Sequence, residues 1–534
     1  EHDPASSDRR KLLLALGFGA VNLAALRRVG LDSNPAGGLT GDGIDPASAA
    51  IELTAGTAEG TAPAALPPAL TVAGSQPPPP PPEDHVFDIV ISRGRVMDPD
   101  SGFDGLAAVG IDGDTITAVS TEALVGRVEI DATGRVVAPG FVDLLSYEPN
   151  SFGVWLKLAD GVTTNLAMHG VNNYAAAFFG RYQNQTPIHY GGAFHHHFMR
   201  GFDIEAEIDA PLTEPQFGEL ESLARLNLEQ GFAGISFSPE YSPGTTTDEM
   251  ERLAAMAADF GHVCFFHARH SDPNPPGTSL EALEEVLSIA ARTGVSVHIE
   301  HLTSTGGTFV MHQALDLINR ARSDGADVTA CIYPYDFWGT FLGSSRFALG
   351  WQERYRLTET DLQVAGTGER LSSETFGAAF RDNKLVAAMG SIPEEEIRMA
   401  LQEPWVVVAS DAIPTVEMNN HPRGAGTFAR TIGHYVRHLG VLDLMTGLAK
   451  MTIGPVRRVE HMIPAMARKG RLQRGADADI VIFDPVTIGD RATVEVPAAP
   501  SVGIDWVLVG GQIALRDGTV DKTVLAGRPL RSRV

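Results

Sequence analysis

Between residues 139 and 411 short apolar runs recur along the chain, most of them closed by a residue that can carry chemistry. They read "PGFVDLLS", "TTNLAMH", "PIHYGGAF", "AGISFS", "HVCFFHA", "SVHIEH", "DVTACIYPY" and "WVVVASD". Apolar runs of this length with little alternation predict strands buried on both faces, as in a parallel sheet. Between them lie segments such as "LEALEEVLSIAART" (280–293), whose leucines and isoleucine recur at helical spacing. Strand then helix, eight times over about 320 residues, fits a (β/α)8 barrel with insertions. A doubly wound parallel sheet is the alternative that the pattern alone leaves open.

The flanks differ in texture. From Phe87, "FDIVISRGRVMDPDSGFDGLAAVGIDGDTITAV" alternates short strands with Gly and Asp turns, and the same texture returns in "GRLQRGADADIVIFDP" and "GIDWVLVGGQIALRDG". This predicts one small composite β-sandwich from residues 85–138 and 466–534, flanking a barrel at 139–465. The first 84 residues form an extension. Arg9 and Arg10 precede an apolar stretch from Leu12 to Leu26, which resembles a twin-arginine export signal, and "QPPPPPPEDH" predicts an extended spacer. The expectation is an exported or periplasmic protein. A cytoplasmic protein whose N-terminal arm is a docked helix or a homo-oligomer contact competes with it.

Composition narrows the partners. A chain of 534 residues exceeds one ordinary core, and 43 % hydrophobic with 20 % charged residues is a globular balance. The net charge of −25 argues against a nucleic-acid partner and means that any anionic substrate must be recognised by local cations. Cys264 and Cys331 sit in apolar runs and read as core thiols, not a disulfide framework. No run approaches the roughly 18 apolar residues of a spanning helix.

The ends of four strand candidates carry His169, His267, His301 and Asp411. In a parallel barrel these ends share one rim, where active sites form. Singly, each has a plainer reading: a hydrogen-bonded structural histidine, or an aspartate capping a helix. Four on one rim point to a shared site. In "FHHHFMR" neighbouring histidines must point apart, so His196 alone is expected to line the pocket, a solvated loop being the alternative.

The stretches "GVTTNLAMHG", "GISFSPEYSPG", "LEALEEVLSIAARTGVSVHIEHL", "CIYPYDFWGT", "ASDAIP", "HPRGAGTFARTIGHYVRHLG", "KMTIGPVRR" and "RGADADIVIFDP" resemble the N-acyl-D-amino-acid deacylases of the amidohydrolase superfamily, over roughly residues 87–530. "DLLSY" and "GVTTNLAMHG" look closest to the D-glutamate deacylase branch. The resemblance implies a (β/α)8 barrel beside a composite β-sandwich and zinc-assisted hydrolysis of a linear amide bond in an N-acyl-D-amino acid, with N-acyl-D-glutamate a candidate. It assigns His267 and His301 to the metal, Asp411 to proton transfer, and Arg423 to the substrate carboxylate. Tyr241 and Thr340 become candidate substrate contacts, with Arg269 as a second cation should the side chain be acidic.

The departures are as informative. Where the family carries histidine-x-histidine after strand one, this chain has Leu145 and Tyr147. The family's cysteine ligand falls at about Gly170, beside His169, and its lysine after the strand-six histidine is Thr303. One zinc needs only three protein ligands, so His169, His267 and His301 suffice for a mononuclear centre, with iron or nickel as other candidates. Two rival readings remain: a non-catalytic scaffold or assembly subunit that has lost its metal, and a cyclic-amide hydrolase sharing the metal chemistry.

Overall fold

The structure is a computed structural model that describes Pro82, residues 84–416 and residues 420–533. The twin-arginine stretch lies outside the described residues, and with it the expectations of export or an oligomer arm. Among the described residues no helix is long and apolar enough to cross a membrane.

Five strands open the described chain: β1 (Val86–Asp98), β2 (Phe103–Asp112), β3 (Thr115–Ser120), β4 (Val125–Asp131) and β5 (Val136–Pro139). Seven barrel strands follow: β6 (Phe141–Asp143), β7 (Val162–Val171), β8 (His189–His195), β9 (Ile235–Phe237), β10 (Val263–Phe266), β11 (Ser296–Ile299) and β12 (Val328–Ile332). An insertion folds into a three-stranded antiparallel sheet of β13 (Trp338–Phe341), β14 (Leu362–Val364) and β15 (Leu385–Ala388), before the eighth barrel strand, β16 (Val406–Val408). The chain finishes with β17 (Ile480–Phe483), β18 (Ile504–Val509), β19 (Gln512–Arg516) and β20 (Thr519–Val520).

All eight predicted barrel strands form, in the order β6-β7-β8-β9-β10-β11-β12-β16, every pairing parallel. Their continuous apolar character follows from burial on both faces. Phe265, Cys331 and Val407 pack in one cluster with the segment Ile453–Met466, while Cys264, Phe266, Ala330, Ile332, Val406 and Val408 pack in the larger cluster that includes the surrounding helices. The first and last strands are joined by side chains. Asp143 accepts from Ser410 N at 3.0 Å and Ser410 Oγ at 2.6 Å, and Lys157 Nζ lies 2.5 Å from the same carboxylate.

The two ends of the unit meet at β5, which pairs with β17 antiparallel and β1 parallel. The expected composite sandwich is thus, in its hydrogen bonding, one continuous nine-stranded sheet. Period-two alternation splits its centre: Ile480, Ile482 and Val137 face the sheet's own core, while Val481, Phe483, Val136 and Ala138 pack in the cluster shared with the barrel. The helix expected at 280–293 spans Ser279–Thr293, with a Thr278–Glu281 capping box at its start and Gly294 at φ +72° at its end.

Candidate active site

Strand phase decides which side chains reach the rim. On β11, Val297 and Ile299 belong to the outer cluster, so the alternate positions His298 and Glu300 face the barrel interior. His301 would then point away, but its backbone turns at φ +26° and brings it to the same space as Glu300. On β7, Leu166 and Met168 face inward, and pairing with β8 shifts register between Ala167 and Val171. Such an irregularity re-aims a side chain, and here it swings His169 inward. After β16 the chain adopts φ +49° at Asp411. Non-glycine residues in this region carry strain of about 1–3 kcal/mol and persist only where their surroundings impose them. Here His301 N donates to Cys331 Sγ at 3.3 Å, and Asp411 N to the Leu145 carbonyl at 2.8 Å.

The convergence yields four candidate ligands, His169, His267, Glu300 and His301, all buried, whose ligand atoms lie within 4.8 Å of one another. His169 Nδ1 sits 2.5 Å from Glu300 Oε2, and His267 Nδ1 sits 3.1 Å from His301 Nε2. The outer nitrogens are held by protein: His267 Nε2 lies 2.5 Å from Glu240 Oε2, and His301 Nδ1 lies 3.1 Å from Ser304 Oγ. Ser236 Oγ donates to the other Glu300 oxygen at 3.1 Å. Three imidazoles and a carboxylate, with the outer nitrogens of His267 and His301 anchored so that their inner ones face His169 and Glu300, fit a tetrahedral divalent cation such as zinc.

Beside this cluster, Asp411 Oδ2 lies 3.1 Å from Arg423 Nη2 and 3.8 Å from His301 Nε2. Burial pushes the Asp411 carboxyl up, but the Arg423 guanidinium and the neighbouring imidazoles outweigh it and hold it below the usual range. Burial drives His301 well down, whereas at His169 the Glu300 carboxylate outweighs burial and raises it. The Arg423 guanidinium lies 4.4 Å over the Tyr333 ring, and its buried Nε has no partner among the described residues. Tyr241 packs its ring 4.7 Å from that of His267.

Six of the expected site residues thus come together: His169, His267, His301, Asp411, Arg423 and Tyr241. The others sit elsewhere or are otherwise engaged. His196 turns away to pair with Glu249 at 2.7 Å, and its neighbours face the site instead. His195 and His197 lie with ring centres 5.9 Å from His169 and 6.3 Å from Tyr241, respectively. Burial pushes His197 down to about 3, and His195 Nε2 and His197 Nδ1 have no partner among the described residues. Arg269 is held by Glu285 through two contacts of 2.9 Å, so its charge is matched inside the protein. Thr340 pairs with Val386 in the insertion's small sheet. Gly170 has no room for a ligand: at φ +112°, a Cβ would come within 2.4 Å of the His195 ring. Of the strand-one departures, Leu145 is core, and the Tyr147 hydroxyl makes a long 3.5 Å contact to Asp411 Oδ1. Glu300, Glu240, His195 and His197 were not assigned from the sequence. The one available signal for Glu300 was its strand parity with His298.

A parallel eight-stranded barrel with histidine and carboxylate ligands at the strand ends, and a β-domain assembled from both flanks, defines a hydrolase of the amidohydrolase class. Comparison with known proteins agrees. Residues 377–529 match the Amidohydrolase family. N-acyl-D-glutamate deacylase of Alcaligenes xylosoxydans xylosoxydans is 32 % identical over 471 residues, 79 % of this chain and 93 % of that protein. D-aminoacylase of the same organism is 26 % identical, over 80 % of this chain and 94 % of that one. The crystal structure of N-acyl-D-glutamate deacylase from Bordetella bronchiseptica, complexed with zinc and a phosphonate inhibitor, superposes with a TM-score of 0.72 at 28 % identity, covering 84 % of this chain and 100 % of that one. The chain belongs to the N-acyl-D-amino-acid deacylase family of amidohydrolases, enzymes that act on linear amide bonds.

Proposed function

We propose that this enzyme hydrolyses the N-acyl bond of an N-acyl-D-amino acid at a single-metal centre held by His169, His267, Glu300 and His301, with Asp411 transferring the proton. The observation that carries the reading is the joint placement of four ligand atoms within 4.8 Å and the Asp411–Arg423 pair beside them. A zinc ion bound by these ligands would polarise the acyl carbonyl and lower the pKa of water.

Asp411, ionised at neutral pH, accepts the proton of the attacking water on the oxygen facing His301 and returns it to the departing amine nitrogen. Arg423 binds the substrate α-carboxylate through its unpartnered Nε while its Nη2 stays on Asp411, so one side chain aligns substrate and base. Tyr241, His195 and His197 border the same space, and the two histidines offer it polar ring atoms.

The test is metal content together with turnover, on protein purified without chelators or added metal. About one metal per chain and hydrolysis of N-acetyl-D-amino acids, lost on chelation and restored by zinc, is the expected result. Hydrolysis that survives complete metal removal would overturn the proposal.

A further inference from the structure

A second buried cation stands beside the cluster. Arg346, in the short turn Ser345–Phe347 of the insertion, is 3 % exposed. Its Nη2 donates to the Ser304 carbonyl at 2.8 Å and to Ser271 Oγ at 3.0 Å, and its guanidinium lies 5.0 Å from the Trp338 ring centre. Its charge is already matched, because Nε and Nη2 both lie 3.2 Å from Glu240 Oε2. Glu240 directly precedes Tyr241, accepts from Ser271 Oγ at 2.6 Å, and holds the outer nitrogen of His267 at 2.5 Å. The glutamate therefore has three reasons to stay where it is.

Three arginines near the site each meet one carboxylate: Arg423 with Asp411, Arg346 with Glu240, and Arg269 with Glu285. The substrate α-carboxylate has Arg423 Nε, which no described residue partners. A second carboxylate, as on a D-glutamate or D-aspartate side chain, would find no unmatched cation among these three. Near Arg346 it would meet Glu240, a like charge in a buried setting, where juxtaposition is strongly unfavourable.

We infer that Glu240 is a specificity-determining residue: by neutralising Arg346 it makes the site favour N-acyl-D-amino acids with uncharged side chains over N-acyl-D-glutamate. The inference rests on the deacylase reading of the same cluster. Glutamate and glutamine have nearly the same shape, so the pair isolates charge.

The experiment compares kcat/KM of the metal-loaded enzyme for N-acetyl-D-glutamine, N-acetyl-D-methionine and N-acetyl-D-glutamate. The glutamine substrate is expected to exceed the glutamate substrate on the order of 100-fold. In Glu240→Gln the side-chain oxygen still accepts from His267 while Arg346 loses its counter-charge. That ratio should then fall by about tenfold or more, with metal content per chain as the second readout. A wild-type enzyme that prefers the glutamate substrate overturns the inference while leaving the deacylase reading intact. Failure to hydrolyse any of the three substrates by metal-bound protein overturns the deacylase reading, and this inference with it.

Discussion

Two buried ionic clusters, one at each end of the barrel, show what distinguishes a site from a joint. At the N-terminal end of β8, Asp479 of the β-domain accepts from His189 Nε2 at 3.0 Å, Gly510 N at 2.7 Å and Lys469 Nζ at 2.7 Å. The other nitrogen of His189 accepts from Arg528 N at 3.1 Å, and Lys469 also reaches Asp477 at 2.9 Å. Every charge there faces an opposite charge or a backbone amide. At the C-terminal rim the outer nitrogens of His267 and His301 are anchored in the same way, but the inner ones crowd together, and polar atoms of His195, His197 and Arg423 have no partner among the described residues. The joint is complete in itself, whereas the rim needs a cation and a substrate to satisfy its polar groups.

The largest test of that contrast is removal of a ligand. Glu300→Ala takes away the one anionic donor and is expected to lose both bound metal and hydrolysis, with metal content per chain as the measure. A variant that keeps a full complement of metal would show that the three imidazoles alone make the centre. Asp411→Asn should keep its metal and lose about 10²–10⁴ in kcat, the usual contribution of a positioned acid–base group. A loss below about tenfold would remove Asp411 from proton transfer.

At the joint, Asp479→Asn leaves Lys469 and His189 buried with their counter-charge reduced, and breaking such a pair costs about 3–5 kcal/mol. A large fall in Tm is expected, with the metal content of the folded protein unchanged. The pH dependence follows from the same contacts. Burial pushes the Asp479 carboxyl up, but His189 and Lys469 outweigh it and hold it far below the usual range. A group depressed in the folded state binds more protons in the unfolded chain. Its stabilisation is therefore complete above the ordinary carboxylate pKa of about 4 and is lost as pH falls below it. Wild-type unfolding free energy should drop below about pH 4 with a steeper slope than that of the Asn variant. The smallest effect is expected of Tyr147→Phe, which removes only the 3.5 Å contact to Asp411. It should change kcat/KM by less than about tenfold, since a contact as long as 3.5 Å is weaker than the well-formed hydrogen bonds to charged groups that contribute about 1.5–3 kcal/mol. A larger loss would place the Tyr147 hydroxyl in the chemistry.

Much of this was legible in the chain. Runs such as "VCFF" and "WVVV" require burial on both faces whatever their neighbours do, and eight of them separated by amphipathic helices leave few architectures. The Thr278 cap and Gly294 stop are local, so the intervening helix was readable almost to the residue. His267 and Asp411 continue the inward phase of their strands and were readable for the same reason.

Phase by itself would have placed His169 and His301 outside the cluster and could have placed Glu300 in it; both histidines are legible as strand-end residues, the family resemblance adds a metal role for His301 alone, and neither reading reaches Glu300. The register shift in β7 and the left-handed turn at His301 are imposed by neighbouring strands, and nothing in the local sequence announces either. The partners of Arg269 and Arg346 were likewise invisible. Glu285 lies 16 residues from Arg269, and Glu240 lies 106 residues from Arg346. The sequence by itself determined eight buried parallel strands alternating with helices, the β-domain drawn from both flanks and the kind of chemistry at the rim, because apolar period and residue type are local properties. Only the tertiary structure decided which polar atoms face one another and which charges are already matched, because those depend on strand register and on contacts between segments far apart in the chain.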